Sequence, residues 1–353
     1  MKTYLITGGC GFIGSNFIHY LFENELADQV INLDKMTYAG NKENLNIIEN
    51  QPNYNFIKGD ICSPEIVGDL LQKYNPDVVV HFAAESHVDR SIDGPAEFIQ
   101  TNVVGTLNLL YESNQWLKNS DSNLKNNFRF IHVSTDEVYG SLGNQGKFME
   151  STPYDPSSPY SASKASSDHI ARSWFRTYDF PVIITNCSNN YGPYQFPEKL
   201  IPLIIINALT GKDLPVYGTG MNIRDWLYVR DHCHAIQTVI NKGQLGETYN
   251  IGGNNEITNI QIVKTICSIL DNEIPLKKGG NYSEKIVFVR DRPGHDFRYA
   301  IDASKIEKKL GWKPKENFET GIQKTISWYL DNQNWWKNIQ KKVYKQERLG
   351  KVK

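Results

Sequence analysis

The sequence predicts an α/β fold: a doubly wound parallel sheet followed by a smaller C-terminal α/β domain. Three observations predict it. Short β-branched segments alternate with stretches long enough for crossover helices, glycines cluster just after the first such segment, and the pattern changes near residue 190. The length agrees: 353 residues, at about 150 per domain, suggest two units. With 40% hydrophobic and 22% charged residues, such a chain can build its cores without disulfides or a structural metal.

Taken in order, Tyr4–Thr7, Val30–Asp34, Asn55–Lys58, Val78–Phe82, Phe130–Ser134 and Val182–Asn186 are expected strands, each brief and rich in β-branched or aromatic residues. The polar stretch Asn119–Asn127 is expected to be a surface loop before the fifth strand. Beyond residue 190, Pro193, Pro197, Pro202 and Pro215 break the alternation. A strand at Trp226–Val229 leads into a helix that carries Asp231, His232, Cys233 and His234, whose spacing builds no zinc site, so no metal is expected. Trp328, Tyr329, Trp335 and Trp336 are expected to pack together. The Lys-rich end, Lys337–Lys353, reads as a solvated terminus.

Charge narrows the classes of partner. Lys plus Arg (38) and Asp plus Glu (39) leave a net charge of −1, which argues against nucleic acid or an anionic membrane as a partner. Apolar runs such as Ile201–Ile206 fall far short of the ~20 residues that span a bilayer. Met1–Tyr4 leads straight into the first strand, so no signal peptide is expected. Five scattered cysteines (Cys10, Cys62, Cys187, Cys233 and Cys267) suit a reducing cytoplasm. Neither Cys10 nor Cys187 has a base partner in the sequence that would make it a nucleophile.

The chemistry begins at Gly8-Gly9-Cys10-Gly11-Phe12-Ile13-Gly14, which follows the first strand and opens a helix. Small residues there permit a tight turn and let backbone approach a pyrophosphate at the helix N-terminus. Asp34, twenty residues after Gly14 at the end of the second strand, is placed to bind the adenosine ribose. An acid there disfavours a 2′-phosphate, so the expected cofactor is NAD rather than NADP, although Lys35 beside it pulls the other way. Asp60 follows the third strand, near the adenine, and Phe82-Ala83-Ala84 follows the fourth, where small residues let backbone close on the cofactor. These are features of a Rossmann-type domain, assigned to residues 1–190 with about 222–252 returning to it. Residues 191–330 form mainly the second domain, and 331–353 a basic tail.

Tyr160 and Lys164, at i and i+4, share one helical face. A phenol with a pKa near 10 becomes a base when an ammonium and a cationic nicotinamide both favour its phenolate. Thr135-Asp136-Glu137 leaves the fifth strand, and two adjacent acids on extended backbone point in different directions. One can take a proton from carbon while the other protonates a departing hydroxyl, which is what loss of water across adjacent carbons requires.

The glycine turn, Asp34 and the Tyr160/Lys164 pair resemble the extended short-chain dehydrogenase/reductases. Adding Thr135–Glu137, Asn186–Pro193, Phe196–Pro202 and Asp291–Asp296 narrows the resemblance to the dTDP-glucose 4,6-dehydratase family, over residues 1 to 330. That resemblance implies oxidation of the sugar at C4, loss of water across C5 and C6, and reduction at C6, with NAD held throughout. Tyr160 would deprotonate the 4-hydroxyl beside Thr135 and Lys164, Glu137 would take the C5 proton, and Asp136 would protonate the leaving 6-hydroxyl. Around the cofactor it implies Gly8, Gly11, Phe12, Ile13, Gly14, Asp34, Lys35, Thr37, Asp60, Ile61, Ala83, Ala84, Ser86, Thr101, Tyr160, Lys164 and Asn189. Around the nucleotide sugar it implies Ser86, His87, Thr135, Asn189, Lys199, Leu200, Pro215, Tyr217, Arg224, Asn259, Arg292 and His295. It further implies a homodimer through a bundle of the Ala96–Leu117 and Tyr160–Tyr178 helices. The residues themselves leave open a UDP-sugar 4-epimerase, which would not need Asp136 and Glu137, and an NAD-binding regulator without turnover. They do not separate thymidine from uridine, nor do they name the deoxysugar route, such as rhamnose, that the product would feed.

Overall fold

The computed structural model describes residues 1–291 and 295–342. The six expected strands all form: β1 (Lys2–Thr7), β2 (Ala27–Asp34), β3 (Tyr54–Lys58), β4 (Val78–His81), β5 (Arg129–Thr135) and β6 (Val182–Cys187). Most run one to three residues past their apolar stretch, while β4 stops one residue early. Six more follow: β7 (Asn189–Tyr191), β8 (Leu214–Tyr217), β9 (Ile223–Tyr228), β10 (Thr248–Ile251), β11 (Glu256–Thr258) and β12 (Ile286–Val289).

The main sheet has seven strands in the order β10-β6-β5-β4-β1-β2-β3, every neighbouring pair parallel. From β1 the chain steps outward to β2 and β3, then returns to β4 on the other side. The connections leaving β1 and β4 therefore diverge, and the crevice between them is where such sheets take ligands. One core fills one face of the sheet with Phe17, Ile18, Val239 and Ile240; the opposite face holds Val67, Leu71, Leu109 and Leu110. A separate core unites Ile204, Ile205, Ile266, Ile322 and Tyr329. It also takes in Trp335 and Trp336, with the Trp328 ring 5.1 Å from that of Trp335.

Two sequence expectations give way. Asn119–Asn127 is not all loop: Ser122–Asn127 is a short helix, because the Asp121 carboxylate accepts the Leu124 N–H at 2.8 Å and caps it. Asp136 and Glu137 do not lie on extended backbone either; β5 ends at Thr135, and Asp136–Tyr139 is a 3₁₀ turn. Adjacent side chains still diverge there, since three residues make a turn. The Lys-rich end is helical over Gln333–Lys342, and its continuation from 343 lies outside the described residues.

Two helices matter most for the site. Pro159–Tyr178 starts at a capping box in which Ser158 and Ser161 each bond the other's backbone N–H, with Pro159 fixing the first turn. It ends where Asp179 turns left-handed at φ 52°. The other is continuous helical backbone from Pro95 to Asn119 that widens into a π segment over Ile99–Gly105.

Candidate active site

The glycine turn, Asp34, Asp60 and the acid pair all lie at or just after the carboxyl ends of strands of the main sheet. Gly8 leaves β1 at φ +71°, and a Cβ added there would lie 2.6 Å from the Ala83 nitrogen; one added at Gly14 would lie 2.4 Å from the Gly8 oxygen. Only glycine fits these positions, and the turn they make delivers the Phe12–Glu23 helix N-terminus to the crevice. Asp34, at the end of β2, is fixed by the Cys10 N–H at 2.9 Å and the Met36 N–H at 2.8 Å. Burial pushes its pKa up, and those two N–H donors counter the rise. At Asp60 burial is outweighed by the Cys62 N–H and the Lys35 ammonium, which hold its pKa below the ordinary value. Lys35 contacts Asp60 at 2.9 Å and Glu97 at 3.3 Å.

These residues line a cavity of about 300 Å³ that runs from Asp34 and Asp60, past Gly8–Gly14 and Ala83–Ser86, to Thr135, Tyr160 and Lys164. Every residue expected at the cofactor lies on its wall, including Phe12, Ile13, Thr37, Ile61, Thr101 and Asn189. A second cavity of about 370 Å³ adjoins it, lined by His87, Leu200, Pro215, Tyr217, Arg224, Asn259 and His295. Glu137, Asn189 and Lys199 belong to both walls, so the two spaces meet at the acid pair. Ser86 and Thr135, expected at the sugar, lie on the first wall; Arg292 lies outside the described residues.

Asp136 is almost fully buried, and burial together with Glu137 and Asp225 pushes its pKa well above the ordinary carboxyl value, against the pull of Arg224. Tyr160 is raised well above its usual value by burial first and then by Glu137, while a Thr135 hydrogen bond lowers it. Lys164, beneath it, donates to the Val133 carbonyl at 3.0 Å. The Arg224 guanidinium lies 4.2 Å over the Tyr299 ring and donates to the carbonyls of Ile223 and Asp296 at 2.7 and 2.9 Å. His295 meets Asp291 at 2.6 Å.

Residues 1–291 and 295–342 therefore place a dinucleotide-shaped crevice, a Tyr/Lys pair and two acids around one junction. Residues 5–325 match the family model described as GDP-mannose 4,6 dehydratase. A dTDP-glucose 4,6-dehydratase of Neisseria meningitidis is 56% identical over 353 residues, covering 99% of both chains. The chain belongs to the dTDP-glucose 4,6-dehydratase family. The solved dTDP-glucose 4,6-dehydratase of Bacillus anthracis, in complex with NAD, matches with a TM-score of 0.85 at 48% identity, over 96% of this chain and 100% of that one. That of Streptomyces venezuelae, also with NAD bound, matches with a TM-score of 0.87 at 45% identity, over 96% and 99%.

The residues fit the dinucleotide that this dehydratase family implies. The cradle around Gly8 and Gly14 has no room for a side chain, and Asn189 Oδ1 and Gln195 Oε1 are buried on the cavity wall without a protein partner. Polar atoms so placed are costly unless a ligand satisfies them. Among the described residues no three His, Cys, Asp or Glu side chains gather as a metal site. His232 is instead buried, its pKa pushed down to about 3, with Nδ1 2.9 Å from Asn190 Oδ1.

Some wall residues escaped the sequence reading. Asn190, Gln195 and Glu198 line both cavities, and Tyr299 lines the second. Glu198 takes hydrogen bonds from Tyr38 at 3.1 Å and Arg90 at 3.2 Å, and Lys199 donates to the Ser86 carbonyl at 3.1 Å, tying the two halves of the molecule together. Asn190 and Glu198 stand inside stretches that carried the resemblance, which was the signal available. Tyr299 has no local pattern to mark it.

Proposed function

We propose that this protein converts dTDP-glucose to dTDP-4-keto-6-deoxyglucose and water. The observation that carries the reading is the buried Asp136, its carboxyl pKa pushed up by burial and by Glu137, beside a Glu137 that lies where the two cavities meet. NAD, when bound, supplies the acceptor for hydride from C4, the later donor to C6, and a positive charge near the phenol. Tyr160 removes the proton from the 4-hydroxyl, with Thr135 hydrogen-bonding the same oxygen. The 4-ketone acidifies the C5 hydrogen; Glu137 takes it, Asp136 gives its proton to the departing 6-hydroxyl, and a proton is restored at C5 when hydride is delivered to C6. An epimerase has no task for this acid pair, and a silent regulator has none for the whole set. Lys35, engaged by Asp60 and Glu97, supports NAD over NADP, because its charge is already matched.

We place the NAD on residues 1–190 with the returning segment 222–252, and the nucleotide sugar mainly on 191–330. Lys199, Arg224 and His295 bring cationic or cation-capable groups to that side for a diphosphate, and guanidinium suits phosphate through paired hydrogen bonds. Purified protein given dTDP-glucose without added reductant is expected to yield a product one water lighter by mass spectrometry. An unchanged mass, whether substrate or isomer, would sink the reading. Comparing rates with dTDP-glucose and UDP-glucose decides the base.

A homodimer is part of the proposal. Ile99, Val104, Leu107 and Tyr111 are exposed along one side of the 95–119 helical stretch, and Tyr178 is exposed at the end of the neighbouring helix. A second copy laying the same helices against them would bury this face. Leu107→Glu is expected to convert the dimer to monomer in sedimentation velocity; an unchanged dimer would place the interface elsewhere. No helix among the described residues is long and apolar enough to cross a membrane. The five cysteines are all free, which supports a cytoplasmic setting.

A further inference from the structure

One buried charge is left without a task by the chemistry above. Asp168 lies on the Pro159–Tyr178 helix one turn beyond Lys164 and is fully buried. Its carboxylate is held from three sides: Tyr154 donates to Oδ2 at 2.8 Å, Asn186 donates to Oδ2 at 3.2 Å, and His132 Nε2 lies 3.0 Å from Oδ1. Arg172 in turn donates to the Tyr154 hydroxyl at 2.6 Å. Such an arrangement fixes an ionised carboxylate in the interior at the cost of desolvating it, which burial alone does not explain.

Lys164 is the neighbouring charge. It is buried too, and its ammonium donates to a neutral carbonyl, that of Val133. An ammonium in that setting tends to lose its proton unless an anion stands near it. The helix places Tyr160 and Asp168 one turn to either side of it, and from the sheet β4 offers His81, β5 His132, and β6 Cys187. Both histidines are disfavoured as cations by burial, and burial pushes the Cys187 thiol up to about 12. The π segment contributes the neutral Asn102, bonded to Ser163 at 2.8 Å. Facing Asp168 itself are Lys164, His132, Arg172, Tyr154 and, further off, Tyr139. Asp168 is thus the anion of this layer.

We propose that Asp168 is a positioning residue for the C4 oxidation: anchored by Tyr154, Asn186 and His132 one turn from Lys164, it is the counter-charge that keeps Lys164 an ammonium and so keeps the Tyr160 proton transferable. The inference rests on the Tyr160/Lys164 reading above. Asp168 is not in direct ion-pair contact with Lys164 but lies one helical turn away in the same buried layer, where burial lowers the Lys164 pKa and the carboxylate opposes that fall. The sign follows directly. Without the carboxylate, Lys164 becomes neutral at a lower pH, and Tyr160 needs a higher pH to act as base.

In the NAD-loaded enzyme, Asp168→Asn is expected to lower the Lys164 pKa by about one unit or more, read by NMR on ε-¹³C-lysine and assigned with Lys164→Met. One unit is a tenfold change in the protonation equilibrium. The acid limb of single-turnover NADH formation should move upward in pH, and the rate at neutral pH should fall about tenfold with substrate affinity unchanged. Asp168→Glu keeps the charge and should keep the wild-type profile even if its melting temperature drops. An Asn variant with an unmoved Lys164 pKa and an unmoved pH profile overturns the proposal. A Glu variant that folds but shifts the profile as far as Asn also overturns it, because packing and not charge would be at work. If Asp168→Asn fails to fold, the Glu profile alone decides. Wild-type NADH formation on mixing with substrate tests the underlying reading separately.

Discussion

Glu137→Gln is expected to stop the reaction half-way. The amide keeps the size of the side chain but cannot take a proton, so C5 deprotonation should fall by about 10²–10⁴-fold. Oxidation at C4 depends on Tyr160 and should persist, so NADH absorbance is expected to rise and stay high. In deuterated solvent, exchange at C5 should vanish with dehydration. The two acids differ in setting: Asp136 is buried on the wall of the first cavity with its pKa pushed up, while Glu137 lies on the walls of both cavities, within reach of a sugar placed between them. Product formed at the wild-type rate, or failure to form any NADH in a folded and substrate-binding variant, would overturn the assignment.

The second large effect belongs to Tyr160. Tyr160→Phe should reduce NADH formation by about 10²–10⁴-fold while leaving nucleotide-sugar affinity, measured calorimetrically, close to wild type. The ring is kept, and with it the edge contact to Phe98 at 6.3 Å, so the fold should be little disturbed. In this chain burial and Glu137 both resist the phenolate, so the Tyr160/Lys164 spacing does not by itself make a base. A Phe variant with NADH formation within threefold of wild type would move the base elsewhere.

Much of this was legible in the sequence, for identifiable reasons. β4 and β6 declare themselves because strands buried on both faces are near-continuous β-branched runs, and β1, β2 and β5 carry shorter buried apolar stretches; β3, at the sheet edge and half-buried, shows itself by its aromatic and apolar residues instead. β10, Thr-Tyr-Asn-Ile, is short and half polar, yet tertiary contact with β6 recruits it to the sheet. Asp121 concealed a helix within a stretch whose composition reads as loop. The acid pair was visible, but its 3₁₀ turn was not, since one turn leaves no periodicity. Part of the cofactor side follows from local order, because the glycine turn, Asp34, Asp60 and Ala83–Ala84 each come at or just after the end of a strand; Thr101, within a helical stretch, comes only with the resemblance. The second cavity collects Pro215, Arg224, Asn259 and His295 from segments far apart in the chain, which only a family resemblance or a fold can bring together.

The π segment at Ile99–Gly105 has a mechanical meaning. Thr101 there faces the crevice, and Asn102 ties Glu85 to Ser163, while Val104 and, just beyond, Leu107 are exposed on the outside. Each residue added to or removed from a helix rotates everything beyond it by about 100°. The wide turn therefore acts as a phase adjuster, setting which way the outer surface looks once the inner one is in place. Deleting a single residue here would leave the crevice correctly aimed only by swinging the exposed apolar face about 100° around the helix.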